Sequence, residues 1–307
     1  MNKYCLLSND VETTSIWHNT LRDETGYKVL KEGMPLILDL YAKYNIKCTF
    51  FFTGYIAKLY PEIVKMVIPY GHEVASHGLS HTKEDGFDIM PLKKQILHLK
   101  ESKDILEDIC GNEVISFRAP ALRVNNDTAI ALNECNFKID SSVASQRFDM
   151  FMSFGGLKKL NWLTAPRLPY RTSKTTLFKK GDGNIIEIPL SASLVPYLST
   201  TMRIFPTLTA LQRRLMALES STTGKPIVFD THPNEFIDES SEERKINKRS
   251  DNILAAFLQD TVRSKLKVKN LGVKGLQIYD REIAYFDKHK FNFCTIKDYC
   301  HKTGLLQ

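Results

Sequence analysis

The chain has 307 residues, of which 43% are hydrophobic and 25% charged, and its formal net charge is +7. These values predict an ordinary soluble globular protein that can bury a large core in one domain or two. The densest charged segment, residues 242–250, mixes both signs and lacks interleaved aromatic residues, so we interpret it as a solvated loop and expect no nucleic-acid partner.

The six cysteines show no CxxC spacing, and several lie within apolar runs, which is typical of small buried thiols in a reducing compartment. No charged-then-apolar signal segment precedes the first predicted strand, and no apolar run approaches the roughly 20 residues of a membrane-spanning helix. We therefore expect a cytoplasmic protein, unless a leader has been removed. The oligomeric state stays open.

Strand-like and helix-like segments alternate through the first half of the chain. Predicted strands and helices follow one another at 3–10 (strand), 28–45 (helix), 46–52 (strand), 61–71 (helix), 72–77 (strand), 90–111 (helix), 113–117 (strand), 125–136 (helix) and 137–141 (strand). Strands that alternate with helices of this length favour parallel βαβ units, arranged either as a barrel or as an open sheet.

The alternation breaks between about residues 150 and 225, which we interpret as an irregular insertion. Residues 183–191 suggest a β-hairpin arm, and residues 201–220 can place five apolar side chains on one helix face: Ile204, Leu208, Leu211, Leu215 and Leu218. That face predicts packing against the core or as a lid in preference to a membrane-surface helix. Peripheral membrane contact stays open because the same segment contains Arg203, Arg213 and Arg214.

The alternation resumes with a predicted strand at 225–233. Helical segments at 251–266 and 280–290 follow, and a last strand is predicted at 291–296.

Two carboxylates follow the first predicted strand, in the sequence SNDVE at residues 8–12. Side chains at i and i+2 of an extended segment point to the same side, so Asp10 and Glu12 should converge on one small volume. Two carboxylates in one place do not both ionise easily without a positive partner. The pair therefore predicts a cation nearby, although taken singly such residues are more often a solvated strand end.

His77 and His81 supply candidate ligands for such a cation. They are four residues apart after an apolar strand-like segment, with Gly78 and Ser80 between them, which suits a tight turn that directs both imidazoles the same way. Two histidines and one carboxylate leave a fourth position open, as in catalytic zinc sites. The HxxxH spacing alone is weak, and only its combination with the carboxylate pair supports a metal site.

The order of the motifs resembles the polysaccharide deacetylase family, the NodB-homology carbohydrate esterases, in the branch whose first motif is Asp-x-Glu. The motifs are SNDVE, GHEVASHGLSH, FRAP, FKIDSS, PYRTS with NIIEIPLS, and FDTHPNE, and they extend over about residues 3–300. This resemblance implies a single catalytic domain over residues 1–307 with a distorted (β/α) barrel fold and a site at the carboxyl ends of the strands.

The resemblance also implies roles for individual residues. Asp10 would be the general base held by Arg118, and Asp140 would orient the general acid, His232. The metal ligands would be Glu12, His77 and His81. The common family pattern has two adjacent aspartates in the first motif, so the choice between Asp10 and Glu12 as the metal-bound carboxylate stays open.

Structural roles are an alternative for several of these residues. Arg118 could form a plain ion pair, Asp140 could cap a turn and His232 could cap a loop. Glu187 and Tyr170 are either groove residues or packing residues, and purely structural roles are assigned to the remaining histidines, His18, His72, His98, His289 and His301.

Three functions are consistent with the sequence. The first is a metal-dependent hydrolase that removes N-acetyl groups from an amino sugar in a glycan, glycolipid or nucleotide-sugar precursor. The second is the same scaffold hydrolysing another non-peptide C–N bond, such as a cyclic amide or ureide, and the third is a catalytically silent sugar-binding relative. The expected cofactor is a divalent ion, Zn²⁺ first, with Co²⁺, Ni²⁺ or Fe²⁺ as alternatives.

Overall fold

The computed structural model of the protein describes residues 2–146, 156–193, 195–244 and 264–306. The strands are Tyr4–Val11 (β1), Thr14–Ser15 (β2), Thr20–Leu21 (β3), Thr49–Phe52 (β4), Glu73–Ser76 (β5), Ser116–Phe117 (β6), Ile139–Asp140 (β7), Tyr170–Ser173 (β8), Thr176–Lys180 (β9), Ile186–Glu187 (β10), Ala192–Ser193 (β11), Val195–Pro196 (β12), Ile227–Thr231 (β13) and Asn292–Phe293 (β14).

The α-helices are Asp23–Lys28 (α1), Met34–Lys43 (α2), Gly54–Leu59 (α3), Pro61–Lys65 (α4), Leu92–Cys110 (α5), Asn126–Glu134 (α6), Ser199–Ile204 (α7), Pro206–Thr223 (α8), Ser264–Lys267 (α9), Val273–Lys288 (α10) and Ile296–Lys302 (α11). A π-helical turn, Val29–Gly33, joins α1 to α2. Short 3₁₀ turns lie at Ile68–Tyr70, Pro120–Leu122, Gly156–Leu163 and Pro233–Glu235.

One large sheet organises the fold. Its strand order is β13-β1-β4-β5-β6-β7-β10-β8-β9, and β14 also pairs with β1. All pairs from β13 to β10 are parallel, whereas β8 is antiparallel to both β10 and β9. Because the strands from β13 to β10 run the same way, their carboxyl ends meet at one edge of the sheet.

The sheet curls into an incomplete barrel, which irregular chain closes after β10. Ser191 N donates to Val228 O at 3.1 Å, and Leu198 forms a parallel bridge with Asp230. The chain that follows β10 thus returns to β13, at the opposite end of the sheet. The predicted distorted (β/α) barrel is confirmed, with an antiparallel hairpin in place of some of its strands.

The core follows from the composition of the central strands. All four residues of β4, Thr49-Phe50-Phe51-Phe52, are fully buried, as expected for a parallel strand covered on both faces. The predicted helices around the sheet are found with shifted bounds: helical turns run from Asp23 to Lys43, and α5 ends at Cys110, after which Gly111, with a φ of 68°, provides a left-handed cap.

The predicted packing of residues 201–220 is wrong. Pro206 begins a new helix, so the segment divides into α7 and α8. Ile204 is buried, but the four leucines of α8 lie on the exposed side of the helix. The buried side is largely polar, because residues such as Thr209 and Gln212 form hydrogen bonds there.

The predicted hairpin arm at 183–191 contributes β10, which pairs with β8 in an antiparallel manner. Most of the predicted helix at 251–266 lies outside the described residues, and Ser264–Lys267 is its helical part within them. Within the four described ranges, no helix is both long and apolar enough to cross a membrane.

Candidate metal and hydrolytic site

The polar side chains of the motifs meet at the carboxyl edge of the sheet. Asp10 lies near the end of β1 and Glu12 just after it, His77 follows β5, Arg118 follows β6, and His232 follows β13. Neighbouring strands are about 4.8 Å apart, so β6 and β1 would be separated by about 14 Å in a flat sheet. The curl of the sheet allows side chains from these strands to touch.

Glu12, His77 and His81 form a compact group of metal-ligand atoms. One ligand atom from each lies within 4.8 Å of the other two, and His81 Nε2 is 3.1 Å from Glu12 Oε2. The His77 ring Nδ1 lies 2.8 Å from Arg118 O, which is only an acceptor. Nδ1 therefore carries the proton and Nε2 keeps its lone pair for a metal.

The turn between the two histidines depends on Gly78. Its φ is +70°, and a Cβ at this position would lie 3.2 Å from the Phe87 ring. The Ser76 hydroxyl accepts a hydrogen bond from Gly78 N, and Ser80 donates to Asp85. These contacts fix the positions from which both imidazoles reach Glu12.

The donor set fits a divalent metal ion. Glu12 Oε2 is buried and has no hydrogen-bond donor among the described residues, so an acceptor is left without a partner. Burial lowers the pKa of His77, and it lowers the pKa of His81 to about 4, so both imidazoles are neutral at pH 7. Two neutral nitrogens and one carboxylate oxygen are ligands that Zn²⁺ and its neighbours accept.

Asp10 faces Arg118 as predicted from the resemblance. Arg118 is fully buried, and its Nη1 lies 2.9 Å from Asp10 Oδ1. The other guanidinium nitrogens bond to the carbonyl and hydroxyl of Ser141. Burial alone would raise the pKa of Asp10, but electrostatic interactions with His77, Arg118 and His232 outweigh burial and hold that pKa below its ordinary value. Asp10 is thus an ionised carboxylate beside the ligand group.

His232 lies between two carboxylates at the mouth of the site. Its Nε2 is 4.0 Å from Asp10 Oδ2 and 3.8 Å from Asp230 Oδ2, and about a quarter of its side chain is exposed. Although burial lowers the pKa of His232, the charges of Asp230, Glu235 and Asp10 raise it above its ordinary value. The raised pKa favours the protonated form of the His232 ring, which can act as a proton donor.

Asp230 was not predicted as a site residue. It is buried at the end of β13, and both Arg118 Nη1 and Ser8 donate hydrogen bonds to its Oδ1. Burial, followed by the charge of Asp10, raises its pKa to about 7. One signal in the sequence could have identified it, because Asp230 and His232 show the same i, i+2 spacing as Asp10 and Glu12.

The role expected for Asp140 is wrong in this structure. Asp140 accepts hydrogen bonds from the hydroxyl and amide of Ser142 and is paired with Glu187 across β7 and β10. Among the described residues, the carboxylates within 4.0 Å of His232 belong to Asp10 and Asp230. The parallel pairing of β7 with β10 holds Asp140 in the barrel interior, away from the acid.

The packing interpretation applies to Glu187 and Tyr170. Both residues are buried. Glu187 accepts a hydrogen bond from Val143 N, and the Tyr170 hydroxyl donates to Leu177 O. Neither side chain therefore forms an open groove surface.

A cleft of ≈ 460 Å³ lies beside Glu12 and His81. Its other walls come from the β2–β3 region and the start of α3, including Arg22 and Tyr55. The Tyr55 ring is 45% exposed, and its hydroxyl donates to Asp23 Oδ1 at 2.8 Å. The cleft is within the size range of small-molecule sites and opens directly onto the ligand group.

Sequence comparison relates the chain to a known family. The family described as Polysaccharide deacetylase matches residues 21–139, which include His77, His81 and Arg118. A peptidoglycan deacetylase of Helicobacter pylori is 31% identical over 116 residues, covering 38% of this chain and 39% of that protein. A peptidoglycan-N-acetylglucosamine deacetylase of Bacillus cereus is 30% identical over 108 residues, covering 35% and 38%. The matches thus span about two fifths of the length of these curated relatives.

Comparison with solved structures covers nearly the whole chain. Puue allantoinase superposes with a TM-score of 0.65 at 14% identity, over 99% of this chain and 92% of that one. A probable polysaccharide deacetylase from Pseudomonas aeruginosa gives 0.63 at 14% identity, over 99% and 93%. A CE4 family pseudoenzyme from Bacillus anthracis gives 0.50 at 10% identity, over 97% and 65%. At these identities the likeness shows the fold, which proteins of different activity share.

Proposed function

Because this chain is related to the polysaccharide deacetylases, we propose that it is a metal-dependent hydrolase that removes the N-acetyl group from an amino sugar. One observation supports this proposal: two groups of polar side chains lie side by side at the carboxyl edge of the sheet. The first is the ligand set Glu12, His77 and His81, and the second is the set Asp10, Asp230 and His232. Amide hydrolysis requires a base for the attacking water and an acid for the departing amine, and the second group supplies both.

The metal would be held by Glu12, His77 and His81, with Zn²⁺ as the first choice. When bound, such an ion polarises the acyl carbonyl and makes a water molecule more acidic. His77 is prepared for this role because its Nδ1 proton is donated to Arg118 O, which directs Nε2 to the metal.

Asp10 is the general base in this proposal. Its Oδ2 is 3.6 Å from His77 Nε2, so it lies beside the ligand group. Arg118 keeps the carboxylate ionised and fixes its orientation through Oδ1. The free Oδ2 can therefore accept a proton from the attacking water, a contribution of about 10²–10⁴-fold in rate.

His232 is the general acid. Asp230 and Asp10 favour its protonated form, and its partial exposure places the ring where a substrate nitrogen would leave. An amine leaves poorly unless it is protonated, so proton donation from His232 completes the C–N cleavage. Arg118 links the two roles, since one of its nitrogens bonds to both Asp10 and Asp230.

The substrate class rests on the family relation and on the cleft. The relatives named above are a peptidoglycan deacetylase and a peptidoglycan-N-acetylglucosamine deacetylase. A cleft of ≈ 460 Å³ with an exposed tyrosine at its edge is suited to a sugar ring, since sugars stack on aromatic faces. We propose an amino sugar in a glycan, a glycolipid or a nucleotide-sugar precursor.

The test combines metal analysis with product detection. Purified protein is analysed for bound metals, then assayed for acetate release from N-acetylglucosamine oligomers with and without a chelator. We expect close to one divalent ion per chain and acetate release that chelation abolishes and added Zn²⁺ or Co²⁺ restores. His81→Ala should lose both metal and activity, and His289→Ala, which changes an exposed histidine, should keep both.

Two results would overturn the proposal. Ring opening of a cyclic ureide such as allantoin, without acetate release from the sugars, would assign the site to the alternative C–N hydrolysis. Saturable sugar binding with no turnover by the metal-loaded protein would assign it to a silent sugar-binding protein.

A further inference from the structure

Helix α8 presents an apolar stripe to the outside of the molecule. Leu208, Leu211, Leu215 and Leu218 follow one another at intervals of three and four residues, and their exposed fractions range from 42% to 65%. Phe205, which immediately precedes the helix, is 50% exposed. Single exposed leucines are common on protein surfaces, but a continuous apolar row of this length marks an interaction site.

The stripe is held outward by polar contacts on the other side of the helix. Gln212 is buried and donates to Ser193 Oγ at 3.2 Å and to Val195 O at 3.0 Å. Arg213 Nη1 is 2.8 Å from Glu282 Oε1. Rotation of α8 to bury the leucines would break these bonds and leave buried polar groups unpaired. The stripe is therefore a fixed surface of the folded chain.

Within the described ranges, exposed cations lie on α8 and on the neighbouring segment 265–269. Arg214 is exposed on α8 itself, and the exposed Lys269 places its Nζ 3.0 Å from Ile204 O, at the head of the stripe. Lys265 adds a third exposed cation in α9. The acidic residue of α8, Glu219, lies at the side of the helix, where Arg167 and Lys225 neutralise it.

The charges beside the stripe indicate which partner binds it, a membrane surface or a second copy of the chain. The spacing of the leucines is symmetric about Arg213, so two α8 helices could pair antiparallel with leucine against leucine, but that pairing brings the two Arg214 side chains towards each other. Anionic lipid headgroups complement the cations instead. We infer that α8 docks the protein on an anionic phospholipid bilayer, with the leucines and Phe205 inserted among the acyl chains.

The docking face is connected to the acid of the candidate site. Arg203, at the end of α7, places Nη2 2.8 Å from Glu235 Oε1, and Glu235 N donates to His232 O. Contacts thus link α7, which directly precedes α8, to the loop that carries His232. Resting on the proposed function, docking on a bilayer favours a substrate whose amino sugar is carried on a membrane lipid.

Vesicle cosedimentation tests the docking directly. The full chain is mixed with vesicles of phosphatidylglycerol and phosphatidylcholine, and separately with vesicles of phosphatidylcholine alone. We expect binding to the anionic vesicles that weakens in high salt, because exposed charges are screened. Leu211→Gln/Leu215→Gln should reduce this binding at least about tenfold, since two apolar side chains no longer leave water. Leu97→Gln, at a leucine that is 58% exposed on α5, should bind like the wild type.

Each other outcome overturns the inference. Equal vesicle binding by the double variant would exclude the stripe as the docking face, and absence of wild-type binding would exclude the bilayer. In that second case, a dimer in sedimentation velocity that the double variant dissociates would identify a second copy as the occupant. Acetate release from soluble oligomers is measured in parallel, so that failure of the docking and failure of the proposed function are separate results.

Discussion

Arg118 sets the positions of two carboxylates of the candidate site, those of Asp10 and Asp230. It is fully buried, it contacts Asp10 and Asp230 through the same nitrogen, and its guanidinium lies 4.2 Å from the centre of the Phe51 ring. A buried arginine needs such partners, and the carboxylates need its charge to remain close together. Asp230 thereby joins the proposed acid–base group.

Substitution of Asp230 should alter the pH dependence of catalysis. Its charge raises the pKa of His232, and the acid works only while His232 is protonated. Asp230→Asn should therefore shift the alkaline limb of the kcat/KM profile to lower pH and lose roughly tenfold in kcat/KM on the alkaline side. The matched control is Asp140→Asn, which should leave that limb in place. A shift in the control and none in Asp230→Asn would restore the role first expected for Asp140.

Sequence reasoning could identify individual chemical groups but not their partners across strands. The convergence of Asp10 and Glu12 followed from side-chain alternation within one strand, and Arg118 was assigned to Asp10 through the family resemblance. The i, i+2 spacing of Asp230 and His232 indicates that their side chains share one side of β13. Arg118 joins Asp230 to Asp10, whereas Asp140 lies beside Glu187, and this arrangement depends on which strands adjoin and how the sheet curls, which local spacing does not show.

Glu242 forms ion pairs and a hydrogen bond that hold together the segments on one side of the cleft. Glu242 Oε2 is 2.6 Å from Arg22 Nη1 and 3.0 Å from His18 Nε2, and its Oε1 is 2.8 Å from Lys28 Nζ. These contacts join the segment after the 3₁₀ turn Pro233–Glu235 to the β2–β3 region and α1. Hydrogen bonds from Lys28, Arg22 and His18 lower the pKa of Glu242 to about 2.

This lowered pKa predicts a pH-dependent contribution to stability. A group whose pKa falls on folding stabilises the folded state above its unfolded pKa, which is 4.5 here, and loses that contribution as the pH falls towards 2. Glu242→Gln should lower the free energy of unfolding by about 1 kcal/mol at pH 7, because the pairs are partly exposed. Urea unfolding between pH 7 and pH 3 should show this difference shrinking below pH 4.5, with Glu62→Gln, an exposed glutamate, as the control. A difference that is independent of pH would refute the electrostatic origin.

Helix α8 shows why periodicity predicts faces but not their direction. The row of leucines correctly indicated an amphipathic helix, and the natural expectation was an apolar face turned inward. Hydrogen-bond partners for Gln212 and an ion-pair partner for Arg213 lie on the inner side instead. These partners come from distant parts of the chain, so the inversion was not visible in the local pattern.

The fold should not require the proposed metal. Buried aromatic and aliphatic residues run through the sheet and the helices around it, including fully buried Trp162 and the phenylalanines of β4. A core of this extent is stable by itself. Removal of the metal by a chelator should abolish acetate release yet lower the melting temperature by less than about 10 °C, since only the binding energy of one ion is lost. Circular dichroism melts before and after chelation measure this, and loss of a cooperative transition would contradict it.

The barrel itself was predictable because its signals are local and repeated. Alternating apolar strands and helices indicated parallel βαβ units, and the strand ends carried the polar motifs, as the structure shows. The closure of the barrel by irregular chain around Ser191 and Leu198 depends on contacts between distant segments, so the sequence pattern showed only that the alternation was interrupted.

Asp10 and Glu12 have separate roles in the proposed reaction, and a paired titration of two variants distinguishes these roles. Asp10→Asn and Glu12→Ala are each titrated with Zn²⁺ or Co²⁺ while bound metal and acetate release are measured together. Glu12 Oε2 lies 3.1 Å from His81 Nε2 and accepts no hydrogen bond from the described residues, whereas Asp10 is held by Arg118. We predict that Asp10→Asn keeps close to stoichiometric metal but loses about 10²-fold or more in kcat. Glu12→Ala should bind metal much more weakly and recover part of its activity in excess metal. Loss of metal in Asp10→Asn together with retention in Glu12→Ala would exchange the two roles.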